Sequence, residues 1–328
     1  MYNHLVVLMY LYPNKQWDYR YLSQNPNITW NIVKANPDKP WNYHSLSGNP
    51  NITIDIVKNN PHKAWDYSEL SYNPSTTWDD VQNNISRPWC YDYLSFNPNV
   101  TWDIIKANPY KSWKYVWFSK NPNLTWDIVM NNLHIDWDYW GLSVNPSITW
   151  DIVKNNPNIW CYAELSEHPN ITWEIVQNNP EIPWDYNGLS LNPNITWEIV
   201  QNNPKKPWNY SWLSVNPNIT WDIMINNINK PWNLSENPNI TWQIIRDNPN
   251  ISWNFRFLSN NLFNKHPYLN KKRLLKRYFN IWHINWRNIK NQRHGWKIEF
   301  SINIDILNLR RRDFENNIIN NKLCKYYC

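Results

Sequence analysis

Apolar and polar positions recur along this chain on a fixed schedule. "PNITWNIVKANP" fills positions 26–37, and "PNITWEIVQNNP" fills 193–204. A leading tryptophan stands at Trp17, Trp41, Trp65, Trp89, Trp113, Trp137, Trp160, Trp184, Trp208, Trp232 and Trp253. The step is 24 residues, except 23 before Trp160 and 21 before Trp253. A second tryptophan follows 13 residues later at Trp30, Trp78, Trp102, Trp126, Trp150, Trp173, Trp197 and Trp221. Ile54 replaces it in one copy, and the shortened copy carries it at Trp242. Ten complete units result, roughly W-D-Y-x-x-L-S-x-N-P-N-I-T-W-D-I-V-K-N-N-P-x-K-P. Self-similarity at a fixed period of this length is the mark of a repeat architecture.

Each half of a unit predicts one short helix. In the second half, Thr29 precedes Trp30 and supplies an N-cap hydroxyl for an otherwise orphan backbone N–H. Asp103, Asp127, Asp151, Glu174, Glu198 and Asp222 put negative charge in the equivalent first turn, where the helix dipole favours it. Ile28 and Val33 have the spacing of a hydrophobic staple. Pro37 ends the helix near Asn36, because the residue before proline is pushed out of the α region. In the first half, Pro40 is read as the first helical residue, with Trp41, Tyr43 and Leu46 on one apolar face. Helices this short are marginal alone in water. Stacking the units into a shared core is what stabilises them.

Between copies the frame barely changes, whereas the third, fourth and seventh residues after each leading tryptophan vary freely. Third and seventh lie four apart and share a helix face with the fourth beside them. Tyr21, Tyr72, Tyr93, Phe96, Trp117, Trp140 and Trp212 fall on these positions. A face so rich in aromatics differs from idle polar surface, and these seven are the candidate partner-binding face. The opposing reading is an unconstrained solvent face.

Composition agrees with a folded chain. The 328 residues include 26 Trp and 24 Pro but 4 Gly, and aromatics make up 16%, whereas disordered chains are poor in aromatic and β-branched residues. Residues 262–328 carry 15 Lys and Arg against 4 Asp and Glu, while the rest carries 17 against 22. Within that basic segment, 268–286 predicts an amphipathic helix, 310–321 a weaker one, and 296–307 alternates as a strand does. Lys271, Lys272, Arg273, Lys276, Arg277, Arg310, Arg311 and Arg312 are the candidate phosphate contacts. The alternative for the same segment is a cap that covers the last unit of the array. The apolar stretch 1–16 is read as an end-piece docked on the first repeat.

The rhythm N-P-x-K-P-W-x-Y-x-x-L-S-x-N-P-N-x-T-W-x-x-V resembles the leucine-rich-repeat variant family over residues 13–261. That resemblance implies an α-solenoid of 24-residue units, each with one α-helix and one 3₁₀ or short α-helix. Trp and Tyr replace much of that family's Leu and Ala, and its Val-Arg pair is absent. The phrase is also similar to Trp-rich repeat proteins of giant DNA viruses.

We therefore expect an all-α fold: an α-solenoid of about ten units over 17–261, with a mixed basic C-terminal cap over 262–328. No Gly-rich phosphate loop, metal-ligand spacing or catalytic constellation is evident, so a non-enzymatic scaffold that binds a protein partner is expected, with no cofactor and no metal. A nucleic-acid-binding protein led by the basic segment is the alternative. Four scattered cysteines and no apolar run of membrane-spanning length suggest an intracellular protein, cytoplasmic or nuclear, with a virion as a further setting. The N-I-T triplets match glycosylation acceptors, but turn and capping chemistry already explains them.

Overall fold

The computed structural model describes residues 3–263, and these form short helices with no strand among them. Two kinds alternate. Helices of the second kind begin on the second tryptophan, as in Trp102–Ala107 and Trp197–Asn202, or on Ile54 in Ile54–Asn59. The threonine before them has extended backbone angles and, in nine of ten cases, accepts the N–H three residues on. Thr29 has the same backbone but no side-chain bond. Ile28 and Val33 are both buried, as the staple requires.

Helices of the first kind start later than the sequence reading places them. Pro40 and Trp41 precede the helix Tyr43–Ser47, and the residue after the tryptophan is its cap. Asp18, Asp66, Asp138, Asp185 and Asn254 each accept two backbone N–H groups in this role. The cause is local. Trp41 N–H closes a tight turn on the Lys39 carbonyl, so the chain is extended at Asn42 and helical only afterwards.

The two layers enclose one continuous core. Leu22, Leu46, Leu70, Leu94, Phe118, Leu142, Leu165, Leu189, Leu213 and Leu258 come from the first layer, and the Ile/Val pairs come from the turn and the second helix. Leading tryptophans close it from the side. Each indole Nε1 donates to the carbonyl five residues back, as Trp113 does to Asn108 at 2.9 Å. Trp160 is the exception and has no partner, because the turn before it is one residue short.

Neighbouring units are joined by a repeated polar seam. The serine of one first helix accepts the backbone N–H of the next unit's cap residue, as Ser95 does from Lys114. The asparagine that follows every first helix but Tyr162–Glu167 donates back to two or three carbonyls of the unit before: Asn121 reaches Ser95, Asn97 and Val100 at 2.9–3.2 Å. These amides are fully buried. An unpaired buried backbone carbonyl is costly, so this pairing fixes the stacking register.

The same seam joins the last unit to the first. Ser259 accepts from the Asp18 N–H at 3.0 Å, and Asn25 donates to the Ser259 and Asn261 carbonyls. Asn27 reaches Leu262, and Arg256 pairs with Asp18 at 3.4 Å. Helices Tyr19–Gln24 and Phe255–Asn260 pack together as neighbours do elsewhere. The array is therefore closed into a ring of units. The N-terminal helix His4–Leu11 completes it: it packs on Trp242–Asp247, and Asn3 donates to the Asn27 carbonyl at 2.7 Å. It thus takes the place of a second helix for the unit begun by Trp253, while Asn3 and Tyr12 also bond the first repeat, on which the sequence reading docks this segment. Tyr12 even accepts the Trp17 indole as Asn36 accepts that of Trp41.

Most adjacent first helices are in close contact around the circle, whereas adjacent second helices, apart from His4–Leu11 on Trp242–Asp247, stand further apart. In a closed ring the tighter layer lies inside, so first helices form the inner wall. The last unit is covered by the first, which removes the need for a cap at that end; the proposed C-terminal cap itself lies outside the described residues.

Candidate inner-wall binding surface

The three variable positions form a belt on the inner wall. Leucine at the fifth position points into the core, so the third, fourth and seventh project the other way. Seventh-position side chains of one unit meet fourth-position side chains of the next. Gly141 shows how close they come: a Cβ there would lie 3.0 Å from Lys120 Cγ and 2.8 Å from the Asp138 carboxylate.

The structure brings four of the seven sequence candidates together and separates the rest. Tyr72 stacks on Phe96 with ring centres 5.3 Å apart and planes 3° from parallel. Trp117 meets Phe96 and Tyr93 edge-on at 6.4 and 5.8 Å. Offset and edge-to-face pairs of this kind are favourable beyond their buried area. Trp140 lies one unit on, with Lys120 Nζ 3.6 Å from its ring centre. Tyr21 sits at the closure under Arg256, and Trp212 stands on a distant unit. Trp117, Trp140 and Trp212 are 40%, 47% and 43% exposed, while Phe96 is buried and Tyr72 half-buried. The belt thus has a deep row at the seventh position and an exposed rim at the third and fourth.

Charged groups that the sequence reading did not single out share this belt. Burial pushes the Lys120 ammonium down, with Asp138 and Glu164 opposing it. Glu164 is raised by burial despite Lys120 and a hydrogen bond from the Trp140 indole. Three units before that of Lys120, His44 contacts Asp66 at 2.8 Å and Glu69 at 3.7 Å. Glu69 is raised by burial, and Gly48 leaves the space its carboxylate fills. Their signal in the sequence was faint: a charged residue at a variable position looks like ordinary solvated surface.

The frame tryptophans and tyrosines are engaged elsewhere. Each tyrosine two residues after a leading tryptophan meets the next leading tryptophan edge-on, as Tyr91 does Trp113 at 5.2 Å. Lys63, Lys111, Lys206 and Lys230 cover the outer faces of these tyrosines. Outside the belt, a cleft of about 550 Å³ lies beside Trp102, Tyr115 and His134, where Ile135 takes the place of such a lysine. Among the described residues no group of His, Cys, Asp or Glu is disposed to hold a metal ion, and no helix is long and apolar enough to cross a membrane. The eight candidate phosphate contacts, Lys271 to Arg312, lie outside the described residues.

Compared with protein-family models, with curated proteins and with solved structures, the chain matches none. What the geometry defines is an all-helical repeat ring with an aromatic, variable inner wall.

Proposed function

We propose that the chain is a non-enzymatic scaffold that binds a protein partner through the rim of its inner wall. One observation carries this reading. Frame side chains are consumed in holding units together, yet the positions free to vary place three large aromatics, Trp117, Trp140 and Trp212, in solvent. Aromatic anchors on a rigid surface are what concentrate binding energy at protein interfaces. A partner would meet fixed backbone with variable side chains, as helical repeats commonly present their ligand surfaces.

The test is affinity capture on the full chain after nuclease treatment, beside a Trp117→Ser/Trp140→Ser variant whose melting temperature is first shown to match. A defined protein retained at least tenfold better by the parent supports the reading. Retention that is equal for both chains, or that vanishes with nuclease, removes it.

A further inference from the structure

In five units a cation of the chain itself covers the outer face of the frame tyrosine. Lys63 Nζ lies 5.2 Å from the Tyr43 ring centre, Lys111 5.0 Å from Tyr91, Lys206 5.6 Å from Tyr186 and Lys230 5.0 Å from Tyr210. The Arg87 guanidinium lies 5.8 Å from Tyr67. Each stands two residues before the next leading tryptophan. Aromatic faces attract cations at this range. At Tyr115 that place belongs to Ile135, and the cleft of about 550 Å³ opens there.

Two copies of the repeat isolate what has changed. Trp30, Lys34, Tyr43, His62, Lys63 and Ala64 hold the same unit positions as Trp102, Lys106, Tyr115, His134, Ile135 and Asp136. The aromatic frame is the same in both. Trp30 and Tyr43 meet Trp65 at 5.7 and 5.2 Å, and Trp102 and Tyr115 meet Trp137 at 6.0 and 5.7 Å. Of the six positions two differ: the cation has become Ile135, and a neutral neighbour has become the carboxylate of Asp136. Lys34 and His62 do not keep Lys63 off Tyr43, so Lys106 and His134 are no bar to a cation at Tyr115. Lys106 is itself paired with Asp103 at 3.0 Å. Ile182 and Ile251 also stand where a cation does elsewhere, but Pro183 and Ser252 follow them. The added carboxylate is particular to this cleft.

We propose that the cleft receives a lysine side chain presented by a partner protein. Its methylenes lie along Ile135, and its ammonium takes the place over Tyr115, beside Trp102 and the Asp136 carboxylate. Lysine suits such a site because its stem buries on apolar surface while its head keeps a charge partner. Four of the five cations that the chain places on its own tyrosines are lysines. The cleft shares no residue with the aromatic rim of the inner wall, so either surface can fail its test without the other.

The experiment titrates the full chain at low salt with N-acetyl-lysine methylamide and with N-acetyl-norleucine methylamide, which lacks the ammonium. Binding is read from the probes' own NMR signals. The lysine probe is expected to bind about fivefold more tightly than the norleucine probe. Ile135→Lys restores the resident cation of the sister units and is expected to abolish that preference. Asp136→Asn, an exposed change, is expected to weaken the lysine probe about threefold, the size of one surface ion pair. Both variants are first shown to melt with the parent, and Asp136→Asn decides if Ile135→Lys does not fold. Equal binding of the two probes overturns the proposal, because the cleft would then be merely apolar. So does lysine binding undiminished by either substitution, because the probe would then sit elsewhere on the ring.

Discussion

No peptide chain crosses the contact between the last unit and the first, yet its bonds follow the pattern of an internal junction. At an internal junction such as units 4 and 5, Ser95 caps Lys114, Asn121 spans three carbonyls, and Tyr91 meets Trp113 under Lys111. At the closure Ser259 caps Asp18, Asn25 spans two carbonyls, and Phe255 meets Trp17 at 5.1 Å under Lys15. No special residues were needed to shut the ring. Closure uses the code that propagates the array, and the N-terminal helix Asn3-capped at His4 supplies the one element the last unit lacks.

That equivalence can be broken. Asn25→Ala and Asn121→Ala each strip two or three buried carbonyls of their donor, at about 1–3 kcal/mol per group left unpaired. We expect both to lose roughly 2–4 kcal/mol in denaturant melts. Their reach should differ. Without a covalent link, the closure can separate, so hydrogen exchange in Asn25→Ala should accelerate through His4–Leu11, Tyr19–Gln24 and Phe255–Asn260 together. In Asn121→Ala it should stay near residues 91–130. Equal local protection loss in both would mean the ring contact adds nothing beyond its own bonds.

One internal junction is itself a variant. His168 stands where the others have asparagine, and it is buried. Its Nδ1 accepts the Asn170 N–H and its Nε2 faces the Asn145 carbonyl, so the proton sits on Nε2 and the ring is neutral. Burial depresses its pKa to about 4, despite the lift from the Asn145 carbonyl. The folded value is below the unfolded one, so the unfolded chain binds the extra proton. Stability is complete above about pH 6.5 and falls as pH drops toward about 4, by roughly 3 kcal/mol at most. His168→Asn restores the double donor and removes that proton. Its melting temperature should exceed the parent's, and the gap should widen from pH 7 to pH 4.5. A constant gap would place the acid sensitivity elsewhere.

How far the residues themselves announce this architecture follows from the range of each interaction. Thr caps, Ile/Val staples and Asn-Pro stops act within one unit, so reading a unit finds them. The Asp or Asn cap after each leading tryptophan is equally local, but Pro40 in front of it mimics a helix start and hides it. The seams are visible only as unexplained constancy: Ser and Asn at Ser95 and Asn97 repeat because each bonds the neighbouring copy. Closure cannot be seen at all from one unit. It arises from a small turn per junction accumulated around the circle, which no single stretch of sequence encodes. The inner wall shares that fate, since which layer faces inward depends on the sign of the same curvature.

The smallest effect tests whether the circle melts as one. Thr76 holds a position that is Ile28, Ile52 or Val100 in other units, and it is 1% exposed. Its hydroxyl has no hydrogen-bond partner, although its carbonyl receives Asn97 and Asn99. Thr76→Val keeps the shape, removes the unpaired polar group and should stabilise by about 1 kcal/mol. Open repeat arrays distribute such gains among nearest neighbours, because each unit touches only the next. A ring has no free end from which to fray, so opening anywhere must first break two junctions. We therefore expect the gain to appear in the global melting transition, as a shift of roughly 2–4 °C, and in slower exchange at residues as remote as Trp197–Asn202. A gain confined to exchange around residues 54–102, with the melting curve unmoved, would show that the junctions act independently and that closure confers no cooperativity.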